Sequence, residues 1–440
     1  MSHRRLPQAA RCLHRSLSEP YCCHPSLLKY LALWLLLGIL TGCTASTPSA
    51  QIPTPASGNP PKATVVVADP VMPRPTDAPL PTAVPTVPAV RSDPVANPEP
   101  VPPTAPLGGP RHLVVALDGV LLLQRAPWPA PLAIGFGTPL AAGDLVTLES
   151  GSATLVCSDL TVAVVPVGAT LRLETDLCPM RGSPRISLPD GQITAMRGRN
   201  NAIPYIVSPR FTGVRDDLPL LRWNDTGAPP YTVQVVNDDE EWTRTGITGP
   251  STPYDGQPSL VSGQFYTVIV TDSLGRSSEE ELVRGLGFWR IDPAEVAAIT
   301  AAEDLLMAAK LPPAGAAYAR AWLLAGYGLR AEAIAELDAL NSVGPDQAAV
   351  AIVLGDLYRQ LALTLLAEAA YTQARDVAQA SDNVLMWATA EAGLGEMLVQ
   401  LNELDQAMTI LAAARERFLT LGDPARAADL AKLITEIESQ

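Results

Sequence analysis

The sequence predicts a multidomain chain in which two all-β modules are followed by an all-α helical repeat array. Three observations carry that prediction. The chain holds 43 prolines, many of them before residue 110. After residue 110, short apolar runs alternate and are separated by Gly, Pro and Asp turns, the pattern of β modules. From Asp292 onward the composition becomes Ala, Leu and Glu at helical spacing. Boundaries fall at 1–42 for a signal peptide, 43–110 for a tether, 111–202 and 203–288 for the β modules, and 289–440 for the helices.

A basic leader containing Arg4, Arg5, Arg11, Arg15 and Lys29 accompanies an apolar run from Leu27 to Leu40, which closes on Leu40-Thr41-Gly42-Cys43. A spanning helix needs about 20 apolar residues, and this run is shorter. A charged start, a short apolar core and small residues before a cut describe a secretory signal peptide. The Leu-Thr-Gly-Cys ending resembles the lipobox of bacterial lipoproteins. That resemblance implies cleavage before Cys43, lipidation of its thiol, and an extracytoplasmic protein lipid-anchored to the cell membrane or outer membrane. Two or more acyl chains give stable anchoring, each buried CH₂ contributing about 0.8 kcal/mol.

Processing at Cys43 would change the chemistry left in the chain. The leader holds five basic residues and one acid, Glu19, so its removal takes the net charge from −14 to −18. So acidic a body is repelled by phosphate backbones, which excludes nucleic acid as a partner. His3, His14 and His24 leave with the leader, and His112 stays. Cys12, Cys22 and Cys23 leave, Cys43 is acylated, and Cys157 and Cys178 remain. Two cysteines in an exported protein form a disulfide, here worth about 3 kcal/mol. Too few ligands remain for a Cys/His metal site, and only His112 could serve a Ser-His-Asp triad. No catalytic residue, metal or cofactor is therefore assigned, and the chain reads as a non-enzyme.

Thr44 to Pro110 is rich in Pro, Thr, Ala, Ser and Val. Such a composition cannot bury a core and favours polyproline II. At about 3.1 Å per residue it would reach roughly 200 Å when extended.

Leu113 to Leu123 is a strand-rich stretch in which Asp118-Gly119 reads as a hairpin signal. Gly119, Trp128, Pro139-Leu140, Gly143-Asp144, Ser152-Ala153, Leu155 and Asp159 then follow in order. Over Leu113 to Leu173 this order resembles the FecR-type β domain. The family's sigma-factor control does not carry over, because this chain lacks the inner-membrane helix and cytoplasmic segment that exert it. The resemblance implies a sensing or binding module alone.

In the next segment, Pro219-Leu220-Leu221-Arg222-Trp223 places a Trp inward at a strand end, and Tyr231 to Val236 alternates like a half-buried strand. Leu260-Val261-Ser262-Gly263-Gln264-Phe265-Tyr266 reads as a turn opening a late strand. This is similar to fibronectin type III and immunoglobulin-like sandwiches, and Tyr266 is placed to form a tyrosine corner. Such sandwiches host many binding roles, so function does not follow from the fold. The acidic run Asn237 to Glu241 lacks the alternation and central Gly of a calcium loop and reads as a solvated turn.

Asp292-Pro293 is a helix start signal. Ala321 and Gly355 are small residues 34 apart, and Gly395 lies 40 further on, with about six residues inserted near Ser381 to Leu385. With Tyr358, Ala367, Tyr371, Ala374, Ala407 and Leu411, this spacing resembles tetratricopeptide repeats. The resemblance implies a concave groove lined by the first helix of each pair. It puts Tyr318, Trp322, Asp356, Arg359, Gln360, Glu396 and Gln400 there as a partner-binding face. The expected function is that of a membrane-anchored, non-catalytic protein–protein interaction scaffold. Its partner would be an envelope protein or peptide in the groove. The alternatives are a sensory role through the FecR-like segment, or binding of cell-wall glycan by the β modules.

Overall fold

The computed structural model describes residues 111–179, 181, 185–186, 201–281, 287–342 and 347–439. The leader, Cys43 and the proline-rich tether lie outside the described residues. Alternating burial and turn residues give strands as far as Arg290. From Pro293 the chain is helical, because apolar residues recur every third or fourth position.

The first sheet is built on two long strands, β1 (His112–Gln124) and β4 (Leu145–Val156). Between them lie β2 (Leu132–Ile134) and β3 (Pro139–Leu140); β5 (Val162–Val165) and β6 (Thr170–Arg172) follow. The order is β2-β1-β4-β5, with β3 on β1 and β6 on β4. Asp118-Gly119 is not a turn. It lies in the middle of β1, where Gly119 pairs with Gly151 of β4. Both glycines have positive φ, and a Cβ on Gly119 would stand 2.1 Å from the Ser150 carbonyl oxygen. The pair therefore bends a continuous ribbon where a hairpin was expected. A disulfide joins Cys157 to Cys178, 21 residues apart.

Two further sheets face each other across one core. One runs β11 (Glu241–Ile247), β10 (Tyr231–Val236), β13 (Phe265–Thr271), β14 (Gly287–Arg290), β8 (Thr212–Val214). The other runs β12 (Ser251–Pro253), β9 (Leu220–Trp223), β7 (Ile206–Ser208). Trp223, Tyr231, Trp242, Tyr254, Tyr266 and Phe288 dominate the shared interior. The Tyr266 hydroxyl accepts from the Val261 backbone N–H at 2.7 Å, the back-bond of a tyrosine corner. Asn237 accepts from the Asp239 and Glu240 backbone N–H groups in the exposed β10–β11 turn.

Among the described residues eight α-helices follow: α1 (Pro293–Ala308), α2 (Pro313–Gly326), α3 (Arg330–Asn341), α4 (Gln347–Gln360), α5 (Thr364–Ala380), α6 (Val384–Gln400), α7 (Leu404–Leu421) and α8 (Pro424–Glu438). They form a helical repeat array. The turns α2–α3, α4–α5 and α6–α7 each contain one left-handed residue: Gly328, Ala362 and Asn402. These lie 34 and then 40 residues apart, the spacing expected from Ala321, Gly355 and Gly395. The six extra residues do not loop out near Ser381. They lengthen α5 and α6 to 17 residues each, against 12 and 14 in α3 and α4, and the link between them is Ser381 to Asn383. Ala, Glu and Gln propagate a helix more favourably than they form a loop.

Small residues set the helix spacing. A Cβ on Gly355 would meet the Tyr371 ring at 2.6 Å, and one on Gly395 would meet Leu411 at 2.5 Å. Between α4, α5 and α6 the contact is largely alanine, with Ile352 and Met386 filling the remainder. Among the described residues no helix is long and apolar enough to cross a membrane.

Buried apolar clusters run between the first sheet and the helices. One links Leu121, Leu123, Trp128 and Leu140 with residues of α5 to α8; a second links Leu113, Val115 and Val156 with residues of α1 to α5. The sheet and the array share their hydrophobic interior.

Candidate functional site

The expected partner-binding residues sit on three helices. Tyr318 and Trp322 are on α2, their rings 6.3 Å apart on one side of the helix, as a four-residue spacing requires. Neither lines an open groove: Tyr318 is 0% and Trp322 2% exposed. The cover is the first sheet. The Tyr318 hydroxyl donates to the Gly137 carbonyl at 2.8 Å, and the Phe136 ring packs on Tyr318 with centroids 5.3 Å apart. Gly137, at φ +75°, lies so close to α4 that a Cβ there would stand 2.4 Å from the Ala349 side chain. Gly135 reaches the N-cap of α6 at Asn383. Gly315 at the start of α2 meets the Val115 carbonyl, and Pro129 packs against Gly422 at the end of α7. The segment between β1 and β3 thus lies along α2, α4 and the start of α6. These are the first helices of their pairs, and the part of their expected partner face at Tyr318 and Trp322 is occupied within the same chain.

The polar members of the expected site are brought together on α4 and α6, half-buried. Arg359 donates to Glu396 at 2.9 Å, and its other terminal nitrogen lies 3.5 Å from Asp356. The Tyr371 hydroxyl of α5 donates to Asp356 at 2.6 Å. Burial pushes the Asp356 and Glu396 carboxyls up, against the pull of the Arg359 cation. Burial and the adjacent Asp356 charge push the Tyr371 hydroxyl well above its ordinary range. These bonds tie α4, α5 and α6 together, while the buried Arg359 Nε has no hydrogen-bond partner. Gln360 accepts from Arg330 of α3 at 3.3 Å, and Gln400 is half-buried at the end of α6.

The second pair of sheets docks along the inter-helix turns. Gly213 donates from its backbone, and Thr212 from its hydroxyl, to the Gly328 carbonyl in the α2–α3 turn. Arg210, 1% exposed, donates to the Leu361 carbonyl in the α4–α5 turn at 2.6 Å. The same guanidinium makes a two-pronged ion pair with Glu281 at 2.8 and 3.0 Å. Arg215 bridges Glu303 of α1 and Glu332 of α3.

Beside this docking lies a cleft of about 870 Å³. One wall is the outer face of the β12-β9-β7 sheet, with Leu220 and Arg222; the other is α3 and α5, with Ile334, Asp338 and Leu366. Leu220 is 53% exposed although it faces helices. Leu220 and Arg222 belong to the strand expected at Pro219 to Trp223, but no site is expected there from sequence. An outward Leu220 on a strand whose Leu221 and Trp223 point inward is the signal that could have found one of them.

His112, Cys157 and Cys178 cluster at the edge of the first sheet. The two sulfurs are joined in the disulfide, and His112 Nδ1 accepts from the Ser158 backbone N–H at 3.1 Å. This group is built as a structural staple.

No family model and no curated protein matches the chain. One similar solved structure, titled "MamA MSR-1 C2", is 20% identical, with the match covering 33% of this chain and 90% of that one at a TM-score of 0.23.

Proposed function

We propose that the chain is a membrane-anchored extracytoplasmic lipoprotein, held by lipid on Cys43, that acts as a non-catalytic protein–protein interaction scaffold. Its parts are a tether, a FecR-like β domain, an immunoglobulin or fibronectin III-like sandwich, and a tetratricopeptide-like array. One observation carries the interaction reading: the array already holds polypeptide, the segment around Phe136-Gly137, against the face such arrays use for partners. Because that face is filled from within, α2 to α6 act as a core that fixes the two β parts relative to the helices. Partners then bind outer surfaces of the assembly. This departs from the expectation of an envelope protein or peptide in the groove at Tyr318 and Trp322.

Affinity capture of the full chain from its native envelope, followed by mass spectrometry, tests this. The proposal expects envelope proteins enriched by the full chain, with Trp322→Ala acting only through stability. Capture of no protein would overturn it. Loss of capture in a Trp322→Ala variant with unchanged melting would return the partner to the groove. Cys43→Ala should abolish lipidation; normal processing of that variant would remove the anchor.

A further inference from the structure

We infer that the cleft between the β12-β9-β7 sheet and helices α3 and α5 is a binding site for an extended peptide bearing a basic side chain. The inference rests on the interaction reading above and names its surface.

The size comes first. Ligand sites generally occupy roughly 300–1,000 Å³ and combine an apolar lining with a few convergent polar groups. At about 870 Å³, this cleft is in that range. Half of its lining is aliphatic, with Leu220 on the sheet wall and Ile334 and Leu366 on the helical wall. Leu220 stays half exposed in a position where a closed interface would bury it. A two-sided apolar slot of this kind fits a side chain, or a short extended run of them, inserted between the walls.

Charge decides the class of ligand. Of the five charged side chains that line the cleft, Arg215 and Glu332 are paired with each other. Among the described residues Asp216, Arg222 and Asp338 have no ion pair; Asp216 accepts only from the Leu218 backbone N–H at 3.3 Å. Arg222 on β9 is exposed, and among the described residues its side chain makes no ion pair or hydrogen bond. Asp338 on α3 has a single side-chain hydrogen bond, from the Tyr358 hydroxyl at 3.4 Å. Burial raises the Asp338 carboxyl, and Arg222 across the cleft pulls it back. Asp338 and Arg222 therefore face a common space without meeting. A peptide satisfies both: a Lys or Arg side chain reaches Asp338, and a backbone carbonyl or terminal carboxylate reaches Arg222. The acidic chain as a whole attracts a basic ligand over an acidic one.

A glycan fits less well. Sugar hydroxyls need dense polar pairing, whereas the amide in the cleft, Asn224, already accepts from the Tyr205 N–H and donates to the Ile203 carbonyl. The aromatic residues in the lining are Tyr205 and Tyr358, and the Tyr358 hydroxyl is already engaged with Asp338.

The test is selection of a displayed random octapeptide library on the full chain, followed by fluorescence anisotropy with the enriched peptides. Cell-wall oligosaccharides serve as the competing probe. The inference expects enriched peptides with a Lys or Arg beside apolar residues. Replacing that residue by Glu should weaken binding about tenfold or more, the scale of one charged hydrogen bond. Ala335→Trp places a large ring in the cleft from an exposed helix position and should weaken binding at least about tenfold with unchanged melting. Asp338→Lys should shift the preference to acidic peptides.

No enriched peptide, binding indifferent to Ala335→Trp and Asp338→Lys, or binding of the oligosaccharides alone would overturn the inference. Envelope capture by the Ala335→Trp variant separates the two levels. Capture retained without peptide binding rejects the cleft and leaves the interaction reading standing. Capture absent from the unmodified chain rejects both.

Discussion

The Tyr318 hydroxyl donates to the Gly137 carbonyl at 2.8 Å across 181 residues of sequence. That bond ties the first repeat helix to a loop of the sheet that precedes it. It also explains why an aromatic pair suited to a partner surface is instead buried. Tyr318→Phe leaves the ring contact with Phe136 and strands a buried carbonyl. Thermal or denaturant unfolding should show a loss of about 1–3 kcal/mol. A variant as stable as the parent would mean the loop is not seated as described.

Gly355 stands against Tyr371. Alanine is the better helix former by about 1 kcal/mol, but its Cβ would meet the rigid ring at 2.6 Å. Overpacking of this kind costs about 1–3 kcal/mol, so Gly355→Ala should destabilise on balance. A gain in melting temperature would show that α4 and α5 are not packed at this distance.

His112 is fully buried, and burial lowers its pKa below the ordinary 6.5, although Glu174 opposes the shift. A neutral imidazole is therefore favoured in the folded state. Its contribution is present above pH 6.5 and is lost as pH falls through the interval below it. The stability difference between the parent and His112→Gln should narrow on acidification. A difference that widens toward low pH would contradict this environment.

Arg210 and Glu281 form an ion pair with side chains 1% and 5% exposed. Arg210→Met should cost about 3–5 kcal/mol, because Glu281 is left buried without its partner. Adding Glu281→Leu should recover part of that loss. No recovery in the double variant would assign the cost to the lost bond with the Leu361 carbonyl instead.

The sequence carried the repeat more clearly than the surface. Gly328, Ala362 and Asn402 recur because each pair turns through one left-handed residue, and small residues recur where helices touch. Both are local demands and leave a local trace. The inward Trp223 and the Tyr266 back-bond were legible for the same reason. Gly119 departs from the expected hairpin because its partner, Gly151, is on another strand. Asp-Gly marks a turn only when nothing opposite requires the missing side chain. Tyr318 and Trp322 were placed on the correct side of α2, but their exposure depends on a loop 181 residues away. The cleft left least trace, since Arg222 and Asp338 come together only when the sheets dock on the array.

The most direct test of the self-filled face is a photo-crosslink from residue 136. Benzoylphenylalanine in place of Phe136 keeps an aromatic ring against Tyr318. After irradiation of the purified full chain, mass spectrometry should find adducts within the same molecule, on the α2 segment that includes Tyr318. The same intramolecular adducts should persist at high dilution. Absence of intramolecular adducts to α2 or α4, with crosslinks only to other molecules, would show that the face is open and would contradict the account.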